Sequence, residues 1–532
     1  MPRGAVPVPS CTPADRCMGK GLLVARTDLP AAGAGTATVT VTRRGPVTAA
    51  LMLAMSLVAL DSTVVATAVP QIVGDLGGFA YFSWLFSGYL LAVTVTLPVY
   101  GKLSDTFGRK PVLVAGAALF LLGSLLSGLA WNMGSLIAFR VVQGLGGGAL
   151  QGTVQTLAAD LFPLRERPRI QARLSTVWAM SAVAGPGVGG LLAAHAGWRW
   201  IFLVNLPVGA VALRMIVRHL REPGRAGTSG SAARPPVDWA GALAVFACAG
   251  VLLTALVQGG VAWPWLSAPS LALFGTGLAL AALVAVIERR AADPVIPGWV
   301  WRRRTIAAVN LAMGAMGLLM VAPTVFLPTY AQGVLGLDPV AAGFVMSVWT
   351  LTWPVSAALS QHLYRRIGFR DTGLIGMGVT ASALGAFQLL PSPGSVWQPV
   401  LLMAVVGAGL GLFSAPLLVG VQSTVGWSER GTTTASVLFC RQTGQTVGAS
   451  LFGAVANGVL ASRLGGGDLD AVTRALEPGA RVPEATGRAV AAATQAVYLG
   501  AAVAAVVAFA VLLTLAPRRF PVPATSAEGG GQ

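Results

Sequence analysis

The sequence predicts an all-α integral membrane protein of about fourteen transmembrane helices, arranged as two six-helix bundles with two helices inserted between them. Three observations predict it. Of 532 residues, 55% are hydrophobic and only 10% charged, with a mean hydropathy of +0.72, whereas a soluble domain carries about 25% charged residues. Apolar runs of the roughly 20 residues needed to cross a bilayer core of about 30 Å recur along the chain. Basic residues gather in alternate loops, the asymmetry that orients membrane helices.

The tail 1–46 is rich in Pro, Ala and Gly, lacks the apolar core of a secretory signal, and reads as a disordered cytoplasmic tail. Six spans follow, at 48–69, 80–100, 111–131, 134–156, 173–194 and 200–217, and fill a first bundle at 47–217. The segment 218–237, RHLREPGRAGTSGSAARPPV, has the Arg-, Gly-, Ser- and Pro-rich composition of a cytoplasmic linker. Two inserted spans, 238–259 and 268–288, occupy 238–288, and a second basic linker covers 289–304. The remaining spans, at 305–328, 338–360, 371–391, 397–420, 431–460 and 493–516, make a second bundle at 305–516. The long loop 461–492 carries charges of both signs, and 517–532 reads as a cytoplasmic tail. These runs are too long and too uniformly apolar for barrel strands, which alternate over about ten residues.

The formal net charge of +17 raises the question of nucleic acid, and its distribution answers it. Lys102, Arg109 and Lys110, then Arg165, Arg167, Arg169 and Arg173, then the linker arginines, then Arg365, Arg366, Arg370 and Arg430 fall in inward loops or their flanks. The six short outward loops hold Arg199 alone. The pattern places both termini in the cytoplasm and accounts for the basic character without a nucleic-acid partner. Cys11, Cys17, Cys248 and Cys440 are too scattered for a disulfide framework. No G-x-x-x-x-G-K-[ST] loop appears, and His195, His219 and His362 form no metal set, so neither ATP, metal nor any other cofactor is expected, and neither is enzymatic activity.

A weak internal repeat supports the two-bundle division. GKLSDTFGRK (101–110) and QHLYRRIGFR (361–370) align on Gly108 and Gly368, eight spans apart, as two six-span halves separated by two inserted spans require. Such repeats characterise secondary transporters, whose binding site lies between the halves.

The first copy, with Gly101, Asp105, Gly108, Arg109 and Lys110, resembles the signature loop of the major facilitator superfamily. LIAFRVVQGLGGGAL (136–150) resembles that family's fourth-span motif, and AVAGPGVGG (182–190) its antiporter motif, with Gly185, Pro186, Gly189 and Gly190 as a kink and a smooth packing face. Together with LDSTVVATAVP and WRWIFLVNLPVG, these segments make residues 47–516 similar to the fourteen-span drug:proton antiporter branch. The resemblance implies the major facilitator fold, a cytoplasmic latch at 101–110, and export of small amphipathic drugs or antibiotics driven by the proton gradient. Import of a small metabolite by proton symport, and a non-transporting membrane sensor, are the alternatives. A monomer embedded in lipid suffices for the transport reading.

Two charges inside the spans stand out. Asp61 lies about eight residues, or roughly 12 Å, from the outer end of the first span, and Arg140 about six residues, or roughly 9 Å, from the same surface on the fourth. A charge near the bilayer centre costs about 2.5–3.5 kcal/mol even on lenient scales, so such residues pair or face a cavity. Burial favours the neutral form of a carboxylate and a neighbouring guanidinium its charged form, the balance a proton carrier needs. The expectation is a coupling pair facing across an enclosed, water-accessible space. A static structural pair and a direct role in binding cations are the alternatives. Arg441 and Gln442 on the thirteenth span read as cavity-lining, with packing within the second bundle as the alternative. Tyr89, Trp178, Trp349 and Trp353 are further candidates to line the substrate cavity, although an aromatic in a membrane helix more often serves packing or the interface belt.

Overall fold

In a computed structural model, the described residues are 44–77, 82–220, 238–259, 263–291, 294–337, 339–390, 395–463 and 484–521. The expectations for 1–43, for most of the linker 218–237, for 464–483 and for the tail after 521 lie outside them. Fourteen principal helices follow the expected spans. They are α1 (Arg44–Val64), α2 (Phe82–Phe107), α3 (Arg109–Gly128), α4 (Met133–Leu161), α5 (Arg167–His195), α6 (Asn205–His219) and α7 (Trp239–Gln258). They continue as α8 (Ala268–Arg290), α9 (Arg304–Leu319), α10 (Pro339–Ile367), α11 (Phe369–Ala386), α12 (Trp397–Ser423), α13 (Trp427–Arg463) and α14 (Glu484–Leu515). Among the described residues there is no strand longer than one isolated bridge, Gly259 to Trp263.

Twelve described helices are long and apolar enough to cross a bilayer, and α5 makes a thirteenth although it bends by 43° between Arg167–Gly185 and Gly187–His195. The exception is α13. It has the length, at 37 residues, but Arg441, Gln442, Thr443, Gln445 and Thr446 interrupt its apolar stretch. A helix that faces protein on most sides does not need a lipid-compatible surface.

Local chemistry sets the helix ends. Asn132 starts α4 with a reciprocal cap, its Oδ1 accepting from the Ser135 amide at 2.7 Å while Ser135 Oγ accepts from the Asn132 amide at 3.2 Å. The turns α2–α3 and α10–α11 pivot on Gly108 (φ +102°) and Gly368 (φ +91°), the aligned glycines of the internal repeat. Both stand at the N-cap of the next helix, in an extended positive-φ region confined essentially to glycine, which other residues enter only at a cost of about 1–3 kcal/mol.

Lipid tails are as apolar as leucine, so helix association in a bilayer depends on close contact rather than on water exclusion. Gly146 of α4 meets the backbone of Phe120 and Gly116 on α3, while Gly144 and Gly148 of the same helix meet the α2 backbone at Tyr89 and Val93. A side chain at Gly146 would run into backbone, which cannot yield as a flexible side chain can.

The apolar clusters divide along the chain. One is built entirely from residues between Val300 and Phe520, and two from residues between Val47 and Leu220. A small fourth cluster of Ala172, Ala357 and Ala415 draws on both halves, and α2 with α13 and α5 with α10 pack closely across the seam. The inserted helices follow neither half. α8 packs chiefly on α7, and α7 lies over the seam between α2 and α13.

Candidate functional site

α1 and α4 carry Asp61 and Arg140 into one interior. Arg140 Nη1 donates to Asp61 Oδ2 at 2.5 Å, and Gln143 Nε2 donates to Asp61 Oδ1 at 2.9 Å. Asn205 Nδ2 reaches the same oxygen at 3.4 Å. Gln143 and Asn205 both donate to Ser124 Oγ, at 3.2 and 3.0 Å, and that hydroxyl donates to the Phe202 carbonyl at 2.8 Å. The guanidinium lies 4.1 Å from the centroid of the Tyr89 ring and 5.7 Å from that of Phe202. A desolvated cation is thus met by a carboxylate, by amide and backbone oxygens and by π faces, the conditions under which an ion pair survives burial.

The expectation of a water-accessible gap between these two charges is not met. Asp61 is 2% exposed and Arg140 1%, and the two are in contact within the first half, sealed from solvent. The reason is direct side-chain contact: Arg140 and Gln143 of α4 and Asn205 of α6 reach Asp61 of α1 themselves, and Ser124 of α3 takes the remaining amide hydrogens. Tyr89 is corrected likewise. It is buried under the guanidinium and supplies its π face instead of lining a cavity.

The signature loop holds a second cluster, at the basic end of the bundle, and here the halves meet. Asp105 Oδ1 accepts from Arg109 Nη1 at 2.5 Å and from the Gly431 amide at 2.8 Å. Its Oδ2 accepts from both the amide and the hydroxyl of Thr432, each at 2.7 Å. Asp105 therefore sits at the N-terminal turns of α13, where backbone amides and the helix dipole favour an anion. Arg109 Nη2 donates to the Trp427 carbonyl at 2.6 Å, and its guanidinium lies 4.6 Å from that indole. Gly101 lets α2 touch α13, since a Cβ there would overlap Ala435 and stand 2.9 Å from the Gly431 carbonyl. Gly108 and Lys110 act within the first half, Gly108 through the turn and Lys110 Nζ by donating to the Val217 carbonyl at 2.9 Å. The second repeat copy has Arg365 where the first has Asp105, and it crosses the halves through Tyr364 Oη, which donates to the Leu164 carbonyl at 3.3 Å. Arg370 Nη2 donates to the Leu513 carbonyl at 2.5 Å, an end of α14 in its own half.

The sequence reading missed Asp160 at the end of α4. Its Oδ2 accepts from Arg109 Nε at 3.0 Å, and its Oδ1 pairs with Arg430 of α13. It also missed Gln143, Ser124 and Asn205. Gln143 stands three residues after Arg140, on the same helix face, a signal that was available.

In the antiporter motif, Gly185 of α5 abuts Thr63 of α1, two residues from Asp61, and Thr63 Oγ1 donates to the Ser181 carbonyl at 3.0 Å. Gly189 is buried. Gly190 gives no packing face, because a Cβ there meets nothing within 4 Å; the close approach belongs to Gly185. Pro186 lies at the bend of α5.

Of the cavity candidates, Gln442 alone lines the 660 Å³ cavity between α2, α9, α13 and the inserted segment, and its Nε2 donates across the seam to Gln151 Oε1 at 3.0 Å. Trp349 is buried in the second half beside Trp353, their centroids 5.8 Å apart. Trp353 Nε1 donates to Ser414 Oγ at 3.0 Å. Trp178 packs against the first-half core. Arg441 Nε is buried without a hydrogen-bond partner among the described residues.

Comparison with known proteins places this geometry in context. The family model described as Major Facilitator Superfamily matches residues 51–449. Multidrug resistance protein 3 of Bacillus subtilis (strain 168) is 32% identical over 417 residues, covering 78% of this chain and 80% of that protein. Multidrug transporter protein MdtP of the same organism is 34% identical over 409 residues, covering 76% and 74%. Efflux pump dotC of Dothistroma septosporum (strain NZE10 / CBS 128990) is 35% identical over 401 residues, covering 74% and 68%. Among solved structures, the human organic anion transporter MFSD10 (TETRAN) superposes with a TM-score of 0.59 at 14% identity, over 88% of this chain and 99% of that one. That last likeness concerns the fold alone.

Proposed function

The chain belongs to the major facilitator superfamily, a family of non-enzymatic membrane transporters, and from that premise we propose that it exports small amphipathic drugs or antibiotics in exchange for protons by alternating access. The cargo class is supported by relatives named as multidrug transporters and efflux pumps. An orientation with both termini and the Asp105 latch on the cytoplasmic side is supported by the distribution of the basic loops. In that orientation the latch closes the cytoplasmic end, and each half keeps apolar clusters of its own, so that the two can rock as units. The proton gradient supplies the energy, no cofactor takes part, and one chain is the working unit.

The observation that carries the reading is the sealed Asp61–Arg140 pair. A proton on Asp61 cancels its charge and leaves Arg140 uncompensated in a dry interior. Losing one partner of a buried pair costs about 3–5 kcal/mol. Moving a two-state equilibrium from 1:99 to 99:1 takes about 5.5 kcal/mol. A single proton on this carboxylate is therefore of the right size to bias the two conformations, provided helix movement gives Arg140 a new partner or water. Gly185 on Thr63 links that movement to the bend of α5.

Respiration-energised everted vesicles test the proposal. Vesicles containing the protein should accumulate an amphipathic dye such as Hoechst 33342, and a protonophore should abolish the accumulation. Accumulation that survives the protonophore would rule out proton exchange.

A further inference from the structure

We propose that the 660 Å³ cavity at the α2–α13 seam binds elongated, uncharged amphipathic compounds with hydrogen-bonding groups at both ends, and that the inserted helices form one of its walls. The assignment deepens the exporter reading and rests on it. The volume suits a drug-sized ligand. No lining side chain is acidic or basic, so a bound cation would find no counter-ion and would carry the full cost of its lost hydration.

The polar groups of the lining are unequally available. Thr94, Thr324 and Ser450 hydroxyls donate to the carbonyls of Leu90, Met320 and Leu256, at 2.8, 2.7 and 2.5 Å. The side-chain amides of Gln445, half-buried, and Asn457, exposed at the cavity's edge, have no hydrogen-bond partner among the described residues, and both line the cavity. They stand twelve residues apart on α13, about 18 Å at 1.5 Å per residue. Between them on α13 lie Ala449 and Ala454 with Thr446 and Ser450, whose hydroxyls are spent on the carbonyls of Gln442 and Leu256, and Leu90 and Leu91 of α2 with Val321 and Val325 near the end of α9 add apolar surface to the lining. Two amides flanking an apolar stretch match a ligand with two polar ends and an apolar body. Carbonyl, amide and hydroxyl groups satisfy such amides without a charge.

The inserted segment closes the cavity through Val257, Gly259 and Trp265. Trp265 packs on Gly259, where a Cβ would stand 2.6 Å from the indole. The Ser450–Leu256 bond ties α7 to α13 at the same place. The inserted pair is thus a part of the binding wall and a determinant of which cargo fits.

Site-directed labelling tests this in purified protein without a proton gradient. Ala454→Cys, in a background with Cys11, Cys17, Cys248 and Cys440 replaced by Ser, is labelled with N-ethylmaleimide; Ala449→Cys is the second reporter. The probes are N,N′-diacetyl-1,10-diaminodecane, which is uncharged, and its parent dication 1,10-diaminodecane. The bisamide should slow labelling at least fivefold and the diamine should not. Gln445→Ala with Asn457→Ala should remove the protection, and Gln445→Glu with Asn457→Asp should transfer it to the diamine. Equal protection by both probes, no protection by either, or protection indifferent to these substitutions overturns the assignment. Dye accumulation in vesicles without bisamide protection would sink the site and keep the exporter; protection without accumulation would do the reverse.

Discussion

Asp105→Asn should unlatch the basic end. The carboxylate is 6% exposed and accepts three bonds from α13: one from the Gly431 amide at 2.8 Å and two from Thr432, each at 2.7 Å. An asparagine that keeps its oxygen toward Gly431 and Arg109 turns its NH2 toward the Thr432 amide, donor against donor. The Thr432 hydroxyl can turn to accept from that NH2, so one bond to a charged acceptor, from the Thr432 amide, is lost, worth about 1.5–3 kcal/mol. At 1.36 kcal/mol per tenfold, the closed-to-open ratio should fall by roughly 10- to 150-fold. Spin labels at Phe107→Cys and Ser428→Cys, exposed ends of α2 and α13, report that ratio as a distance distribution. The native latch should give one short distance, and the variant a new, longer one beside it. An unchanged distribution would show that the latch bonds do not hold the halves together.

Two further substitutions separate geometry from charge. Gly101→Val keeps every latch charge but drives a branched side chain into Ala435 and toward the Gly431 carbonyl; the same spin-label pair should lengthen, and a native distance would refute the close-approach argument. Asp160→Asn removes the carboxylate shared by Arg109 and Arg430, leaving two adjacent cations short of an anion at a cost of about 3–5 kcal/mol. The melting temperature in detergent should fall by several degrees, and an unaltered Tm would show that the cluster carries little stability.

The helices were legible in the sequence because lipid imposes a length and a composition on each one, and thirteen of the fourteen obey both. The exception, α13, was placed by loop alternation rather than by its own polar face. The latch residues were legible through Gly101, Asp105 and Arg109, whose types and spacing serve one turn. Their receiver, the backbone at Gly431 and Thr432, was not, since any residue supplies an amide. The partners of Asp61 were partly legible: depth matched it to Arg140 and the spacing on α4 pointed to Gln143, but Ser124 and Asn205 arrive from two other helices, and a lone polar residue in an apolar run does not name its neighbour. Depth also could not distinguish charges facing a vestibule from charges packed against each other. The side chains that reach Asp61 from α4 and α6 decide that, and those contacts exist only once the helices are assembled.

The account turns on whether Asp61 carries the transported proton. In proteoliposomes enclosing a pH-sensitive dye, an outward-directed gradient of an exported dye should drive protons inward through the native protein. Asp61→Asn should abolish that proton movement while preserving exchange of labelled for unlabelled dye across the same membrane, which needs no net proton transfer. Substrate-driven proton flux at the native rate in the Asp61→Asn protein would contradict the account.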